Sequence, residues 1–349
     1  MASVLPVIVT SALASFVVAG GLVATASQHG RFTMDQPGAV QSFHARPTPR
    51  IGGIGIYLAL LVAFATVDDS DTRQMLATML LAGAPALAVG ALEDITHRVG
   101  VAARLLATLA SGALACELGG VVLTHLGIPL VDALLPFMPL AMAFTAFALA
   151  GVANAFNIID GLNGLASGTA AIALLGIAFV AAQAADAPLA FTALVLAAAI
   201  AGFWLMNFPW GKIFLGDGGA YFTGFAVAWL AVLLPMRNPS VSPWASLLIC
   251  GYPVIEAVYS IIRRRFQGHP PGQADRAHLH SLVATRLAGR LRGVDPTLQN
   301  SAVSLLMWIC AAIPAFLGVT FSGRTPWLAL SAAICLLLYH WLYRQVARP

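Results

Sequence analysis

Long apolar runs separated by short polar breaks dominate the chain. Eleven runs read as membrane-crossing helices, at 4–26, 51–67, 75–92, 101–119, 136–153, 167–182, 187–206, 214–234, 242–262, 301–320 and 325–343. A helix needs about 20 apolar residues to cross the hydrocarbon layer. The runs are continuous and lack the residue-by-residue alternation of a barrel strand, so helices are expected. The pattern predicts an all-α polytopic integral membrane protein with about eleven transmembrane helices, built as one transmembrane domain over 1–349. The first run lacks a basic start and is read as a retained helix, not a cleaved signal. The longest polar interruption, 263–300, is read as a loop. It opens with Arg263, Arg264 and Arg265 and a Pro-Pro turn, and its HLHSLVATRLAGRLR segment suits a basic amphipathic helix on the membrane surface.

Composition supports this reading. Of 349 residues, 59% are hydrophobic and only 9% are charged, against about 25% charged in soluble domains. Too little charge is present to cover a water-facing surface. The four cysteines lie inside apolar runs and form no C-x-x-C pair, so they read as small buried hydrophobes. The basic residues set the orientation. With the N-terminus outside, only Arg73, Arg237 and Arg324 of the eighteen Lys and Arg fall on the outer side. The C-terminus is then cytosolic.

In so apolar a chain the polar residues near helix ends carry the chemistry. Asp68, Asp69 and Asp71 read as a solvated outer turn. Glu256, inside the ninth run, is expected to pair with a cytosolic arginine. The other acids gather on the cytosolic side. Asp35, Glu93, Asp94, Asp160 and Asp217, with His278 and His280, are interleaved with Arg46, Arg50, Lys212 and Arg276. Carboxylates and bases on one face are what a magnesium–phosphate site needs, because hard cations take oxygen ligands and cationic side chains hold the remaining phosphate oxygens. Taken singly, each is also an ordinary juxtamembrane charge.

Four segments supply context: QSFHARPTPRIGG (41–53), GALEDITHR (90–98), NAFNIIDGLNGLASG (154–168) and WLMNFPWGKIFLGDGGAYF (204–222). In the third, Asn154, Asn157, Asp160 and Asn163 recur every third residue among glycines. Such residues disfavour a helix interior, and irregular backbone is tolerated in a membrane only where it lines a polar cavity. Gly161, Gly164 and Gly168 also suit close helix packing. A P-loop, G-x-S-x-G and H-E-x-x-H are absent.

At NAFNIIDGLNGL and FLGDGG, with PTPRIGG and DRAHLH in support, the chain resembles the polyprenyl-phosphate N-acetylhexosamine-1-phosphate transferases. The resemblance runs in order from about residue 31 to about residue 290. It implies transfer of a sugar-1-phosphate from a UDP-N-acetylhexosamine to polyprenyl (undecaprenyl) phosphate, with release of UMP, at the start of a cell-surface glycan pathway. It implies a magnesium cofactor, or manganese in its place, held by Asp217 with Asn157 close by. Asp160, Asn163, Asn207 and Phe214 would hold the nucleoside, Phe214 stacking on the uracil, with Asn154 in the same substrate-binding segment. Asp94, with Glu93 beside it, would face the lipid phosphate. His278, His280 and Arg50 would contact the diphosphate. The setting implied is a bacterial cytoplasmic membrane, with membrane lipid as a partner, no nucleic acid, and a homodimer left open. Three positions depart from the family pattern. Glu93–Asp94 stands for an aspartate pair, Asn163 for an aspartate, and Ser281 for a further histidine. The rival readings are a transporter or flippase for an anionic substrate, and an inactive paralogue that only binds.

Overall fold

In lipid an apolar side chain gains little by moving from solvent to a neighbouring helix, so small residues that permit close approach decide how helices assemble. The computed structural model of the chain follows that rule. It describes residues 4–35, 47–268, 275, 277–291 and 293–348. Arg46, Arg276 and the Pro-Pro turn at 270–271 lie outside the described residues.

The helices in order are α1 (Val4–Ala24), α2 (Ala26–Thr33), α3 (Gly53–Thr66), α4 (Ser70–Thr96), α5 (Val101–Gly119), α6 (Pro129–Asp132), α7 (Met138–Ile159) and α8 (Leu165–Gln183). There follow α9 (Ala187–Asn207), α10 (Gly216–Arg237), α11 (Pro243–Ile249), α12 (Gly251–Phe266), α13 (Leu279–Arg290), α14 (Pro296–Thr320) and α15 (Thr325–Ala347). Two short strands, β1 (Met34–Asp35) and β2 (Thr48–Pro49), pair antiparallel before α3, with Met34 opposite Pro49.

Among the described residues nine helices are long and apolar enough to cross a membrane, or ten if α11 and α12 form one span. Two of the eleven expected runs do not form one long straight helix. The run at 51–67 forms only the 14 residues of α3, about 21 Å at 1.5 Å per residue. Its first residues are diverted, because Gly52 N–H donates to the Phe214 carbonyl at 2.9 Å and Gly53 N–H to that of Leu215 at 3.1 Å. The run at 242–262 is broken at Cys250 and bent by 81°. In a continuous helix the ring of Pro253 would clash with the carbonyl of residue 249.

The fold is organised around α10, in which every residue from Gly216 to Pro235 is buried. It packs against α3, α4, α7 and α8, while α1 lies on α9 and α3, and α14 on α8. Two contacts are too close for side chains. A Cβ added at Gly53 would lie 2.1 Å from Gly219 Cα, and one at Gly90 2.5 Å from Gly218 Cα. The first turn of α10 therefore touches the start of α3 and the last turns of α4 through backbone. At the far end of α10, Arg237 Nε and Nη2 donate to the Asp186 carboxylate at 2.7 and 2.9 Å, and Asn238 donates to it at 3.2 Å. The loops predicted to be external thus meet at the opposite end from Asp217.

Smaller expectations divide. Of the three glycines, Gly168 serves packing, for a Cβ there would lie 2.3 Å from Trp308. Gly164 instead supplies a left-handed turn before α8. The four cysteines are free, with Cys116, Cys250 and Cys335 buried. Asp69 caps α4, accepting from Thr72 N–H at 2.8 Å. The HLHSLVATRLAGRLR segment does form a helix, α13, but its first turn is buried and it packs on α14 and α15.

Candidate active site

The site begins where α10 begins. Gly216 has φ +73°, and a Cβ there would meet the Arg50 carbonyl oxygen at 1.9 Å, so only glycine fits. Asp217 follows in the first helical turn. Its own N–H and that of Gly218 donate to the two carboxylate oxygens of Asp94, at 2.9 and 3.0 Å. Asp94 comes from the last turn of α4 and is 2% exposed. A carboxylate at a helix N-terminus satisfies free donors and meets the positive end of the dipole. Glu93, beside it, accepts the Val99 N–H at 2.7 Å and holds the turn after α4.

Cationic and amide donors surround the Asp217 carboxylate. Arg50 Nη2 donates to Oδ1 at 3.2 Å, Asn157 Nδ2 to the same oxygen at 3.1 Å, and Arg104 Nη1 to Oδ2 at 2.5 Å. Arg50 Nη2 also lies 3.4 Å from Asp94. Sequence reasoning used Arg104 only in the charge balance. The available signal was a lone base one turn into the apolar run that follows Glu93 and Asp94. Asp160 caps the C-terminus of α7 one turn beyond Asn157. Desolvation pushes its carboxyl well above the ordinary value; Arg50 opposes this, and the carboxylates of Asp217 and Asp94 add to it. Asn154 lies a turn further back and is spent on packing, donating to Thr108 Oγ1 at 3.0 Å and the Ala150 carbonyl at 2.8 Å.

A cavity of about 280 Å³ opens nearby, lined in part by Thr48, Asn163, Trp210, Lys212, Phe214 and Asn300. The Phe214 N–H donates to the Pro49 carbonyl at 2.8 Å, which joins FLGDGG to PTPRIGG. Asn163 donates its N–H to Asn300 Oδ1 at 2.7 Å and its amide to Ser301 Oγ and the Pro209 carbonyl, each at 3.2 Å. Its Oδ1 is buried without a hydrogen-bond partner, an acceptor that a bound donor could satisfy. Asn207 accepts the Gly164 N–H at 2.6 Å and donates to the Ile213 carbonyl at 2.7 Å. Both ends of that side chain hold backbone, so it braces the loops on which Asn163 and Phe214 sit.

The two histidines stand at the start of α13 with parallel rings 5.6 Å apart. A Cβ built on Gly161 would lie 3.5 Å from His280 Nε2, so this ring faces the NAFNIIDGLNGL turn. Burial pushes the His280 ring down to about 4; Glu256 opposes this and His278 adds to it. His280 is therefore neutral near pH 7. Upstream, Asp275 pairs with Arg263 and, at 3.2 Å, with Arg264. Burial works to raise the Asp275 carboxyl, but the Ala277 N–H and Arg263 outweigh it and bring it down to about 2. The expected arginine partner of Glu256 is corrected. Its Oε1 accepts from His278 Nδ1 at 3.2 Å and from the Leu279 N–H at 3.1 Å. Arg263 and Arg264 of the basic run pair instead with Asp275, and the start of α13 places His278 against Glu256.

Among the described residues no group of three or more His, Cys, Asp or Glu side chains is placed to hold a metal. The donors that do converge, Asp217 with Asp160 and the Asn157 amide, suit a cation taking one or two carboxylates and completing its shell with phosphate oxygens and water, as magnesium does. Four separated segments thus bring acids, bases and an aromatic-lined cavity to one end of the bundle.

The sequence is similar to known proteins along most of its length. Residues 76–235 match the family described as glycosyl transferase family 4. The chain is 26% identical over 316 residues to a probable undecaprenyl-phosphate N-acetylglucosaminyl 1-phosphate transferase of Bacillus subtilis, covering 90% of this chain and 84% of the relative. It is 28% identical over 311 residues to the undecaprenyl-phosphate alpha-N-acetylglucosaminyl 1-phosphate transferase of Escherichia coli K12, covering 86% and 80%. The Yersinia pestis protein of that name is 25% identical over 314 residues, covering 87% and 82%. The matched segment contains GALED, NAFNIIDGLNGL and FLGDGG, the segments that build the candidate site, and the likeness to these relatives extends along most of the chain.

Proposed function

We propose that the protein transfers a sugar-1-phosphate, N-acetylglucosamine-1-phosphate first among the candidates, from its UDP donor to a polyprenyl phosphate. One observation carries the reading: Asp217, ringed by Arg50, Arg104 and Asn157, stands at the start of α10, just after the loop that carries Phe214 and its cavity. The uridine would enter that cavity, with Phe214 against the base and the free Asn163 Oδ1 accepting from it. Arg50 and Arg104 would turn from Asp217 to the diphosphate oxygens. A magnesium ion held by Asp217, with the Asn157 amide oxygen and Asp160 near it, would neutralise charge on the diphosphate when bound. An oxygen of the lipid phosphate attacks the β-phosphorus. The bond from that phosphorus to the bridging oxygen breaks, and the electron pair leaves on UMP. Positioning and charge neutralisation supply most of the catalysis in such transfers. The second pKa of a phosphate monoester is near 6, so the attacking oxygen is largely deprotonated at neutral pH.

Purified protein supplied with undecaprenyl phosphate, magnesium and a panel of UDP-sugars is expected to release UMP with UDP-N-acetylglucosamine and only when the lipid is present. Binding of donor without UMP release would support the inactive-paralogue reading, and lipid-independent passage of substrate across vesicles the transporter.

The distribution of bases supports an N-out, C-in protein of the bacterial cytoplasmic membrane, with the site on the cytosolic face. Single cysteines placed between 263 and 300, on a cysteine-free background, are expected to be labelled only from the cytosolic side. Labelling from outside would reverse the orientation.

A further inference from the structure

Glu256 is a carboxylate buried within the bundle, 1% exposed, and the proposed reaction gives it no part. It does not touch the cavity or the Asp217 cluster. Its Oε1 receives two donors at once, His278 Nδ1 at 3.2 Å and the Leu279 N–H at 3.1 Å. The second of these opens α13, so one oxygen fixes both the ring and the backbone that carries it. The remaining oxygen is buried beside the phenols of Tyr252 on α12 and Tyr339 on α15. His280, Cys310 of α14 and Tyr343 of α15 complete the ionisable surroundings.

The tautomer follows from this geometry. An ionised carboxylate only accepts, so Nδ1 of His278 carries the hydrogen. Nε2 is left as the nitrogen that can meet a substrate. To donate to a phosphate oxygen, Nε2 must carry a hydrogen as well, which makes the ring an imidazolium. A buried carboxylate beside it balances that charge. His280 has no such partner, for its Nδ1 is buried and unpaired. The two stacked rings are thus unequal, with His278 able to act as a charged donor and His280 as a neutral one.

We infer that Glu256 is a positioning residue for phosphoryl transfer, which fixes the tautomer and orientation of His278 and balances its charge when the ring holds the donor's diphosphate. This rests on the reading of His278 as a diphosphate contact. Because Glu256 acts through His278, the two should be strongly non-additive.

The test is a double-mutant cycle on the full-length protein, with UDP-N-acetylglucosamine, undecaprenyl phosphate and magnesium, reading kcat, KM for the donor, and a thermal melt. His278→Asn is expected to lower kcat by about 10²-fold, the range of a single charge-stabilising donor. Glu256→Leu is expected to lower kcat by a similar factor with KM for the donor nearly unchanged, since the nucleoside is held elsewhere. Glu256→Gln keeps an acceptor for both donors and loses only the charge, so its expected loss is about 10-fold. Either substitution added to His278→Asn should cost little more. If His278→Asn turns over normally, the diphosphate role of the histidine fails. If His278→Asn is inactive but the Glu256 losses multiply with it, or Glu256→Gln and Glu256→Leu are both fully active, Glu256 is a packing residue and the inference is overturned. Should Glu256→Leu not fold, the Glu256→Gln cycle decides by the same criterion.

Discussion

Asp217→Asn is expected to fold and to release UMP about 10²- to 10³-fold more slowly than the parent, the scale seen when one preorganised electrostatic group is lost. The substitution is nearly isosteric. Asn still offers one oxygen to Arg50 and Asn157, and the first N–H groups of α10 are held by Asp94, so α10 should keep its first turn. What is lost is the negative charge between two guanidinium groups, Arg50 at 3.2 Å and Arg104 at 2.5 Å. Without it the arginines would still face the proposed diphosphate, but the proposed cation would lose its main carboxylate. The dependence of rate on magnesium should flatten along with the rate. UMP release against magnesium concentration, with a thermal melt of both proteins, checks this. Near-normal turnover with a normal magnesium response would remove Asp217 from the metal site and leave it an ion-pair partner of Arg50 and Arg104.

For Asp94→Asn the expected loss is of similar size but different origin. Both oxygens of Asp94 accept backbone N–H groups at the start of α10. An Asn there turns an NH₂ toward one of those donors and removes the charge that faces the helix dipole and Arg50. A lost cap of this kind costs about 1–2 kcal/mol, so the melting temperature should fall. Turnover should fall by about 10² or more, because the residue that Asp94 holds in register is Asp217 itself. A capping role and a role at the lipid phosphate separate in one comparison. If capping dominates, Asp94→Asn weakens magnesium dependence together with stability. If Asp94 orients the lipid phosphate, KM for the lipid rises while stability is kept. Wild-type-like kcat and melting would end the case for either.

Much of this protein is legible without coordinates. The long apolar runs mark its helices because hydrocarbon permits few other backbone structures. The motif residues stand out because in so apolar a chain each acid or amide needs a reason to be there. What only the tertiary structure decided concerns partners. No pattern of spacing shows that Gly53 and Gly90 lie on Gly219 and Gly218, and those contacts are what draw Arg50 and Asp94 to the start of α10. Arg104 looked like any juxtamembrane base until α5 placed it on Asp217. Glu256 was given an arginine because three follow it closely in sequence, yet the start of α13 set His278 there and left Arg263 and Arg264 to Asp275. After α13 comes α14, whose Asn300 and Ser301 brace Asn163 from beyond the last motif. Helices record their own periodicity and ends, since those depend on local backbone and solvent. Which end of which helix a side chain meets depends on packing between residues far apart in sequence, 167 positions for Arg50 and Asp217, and such pairings leave no local trace.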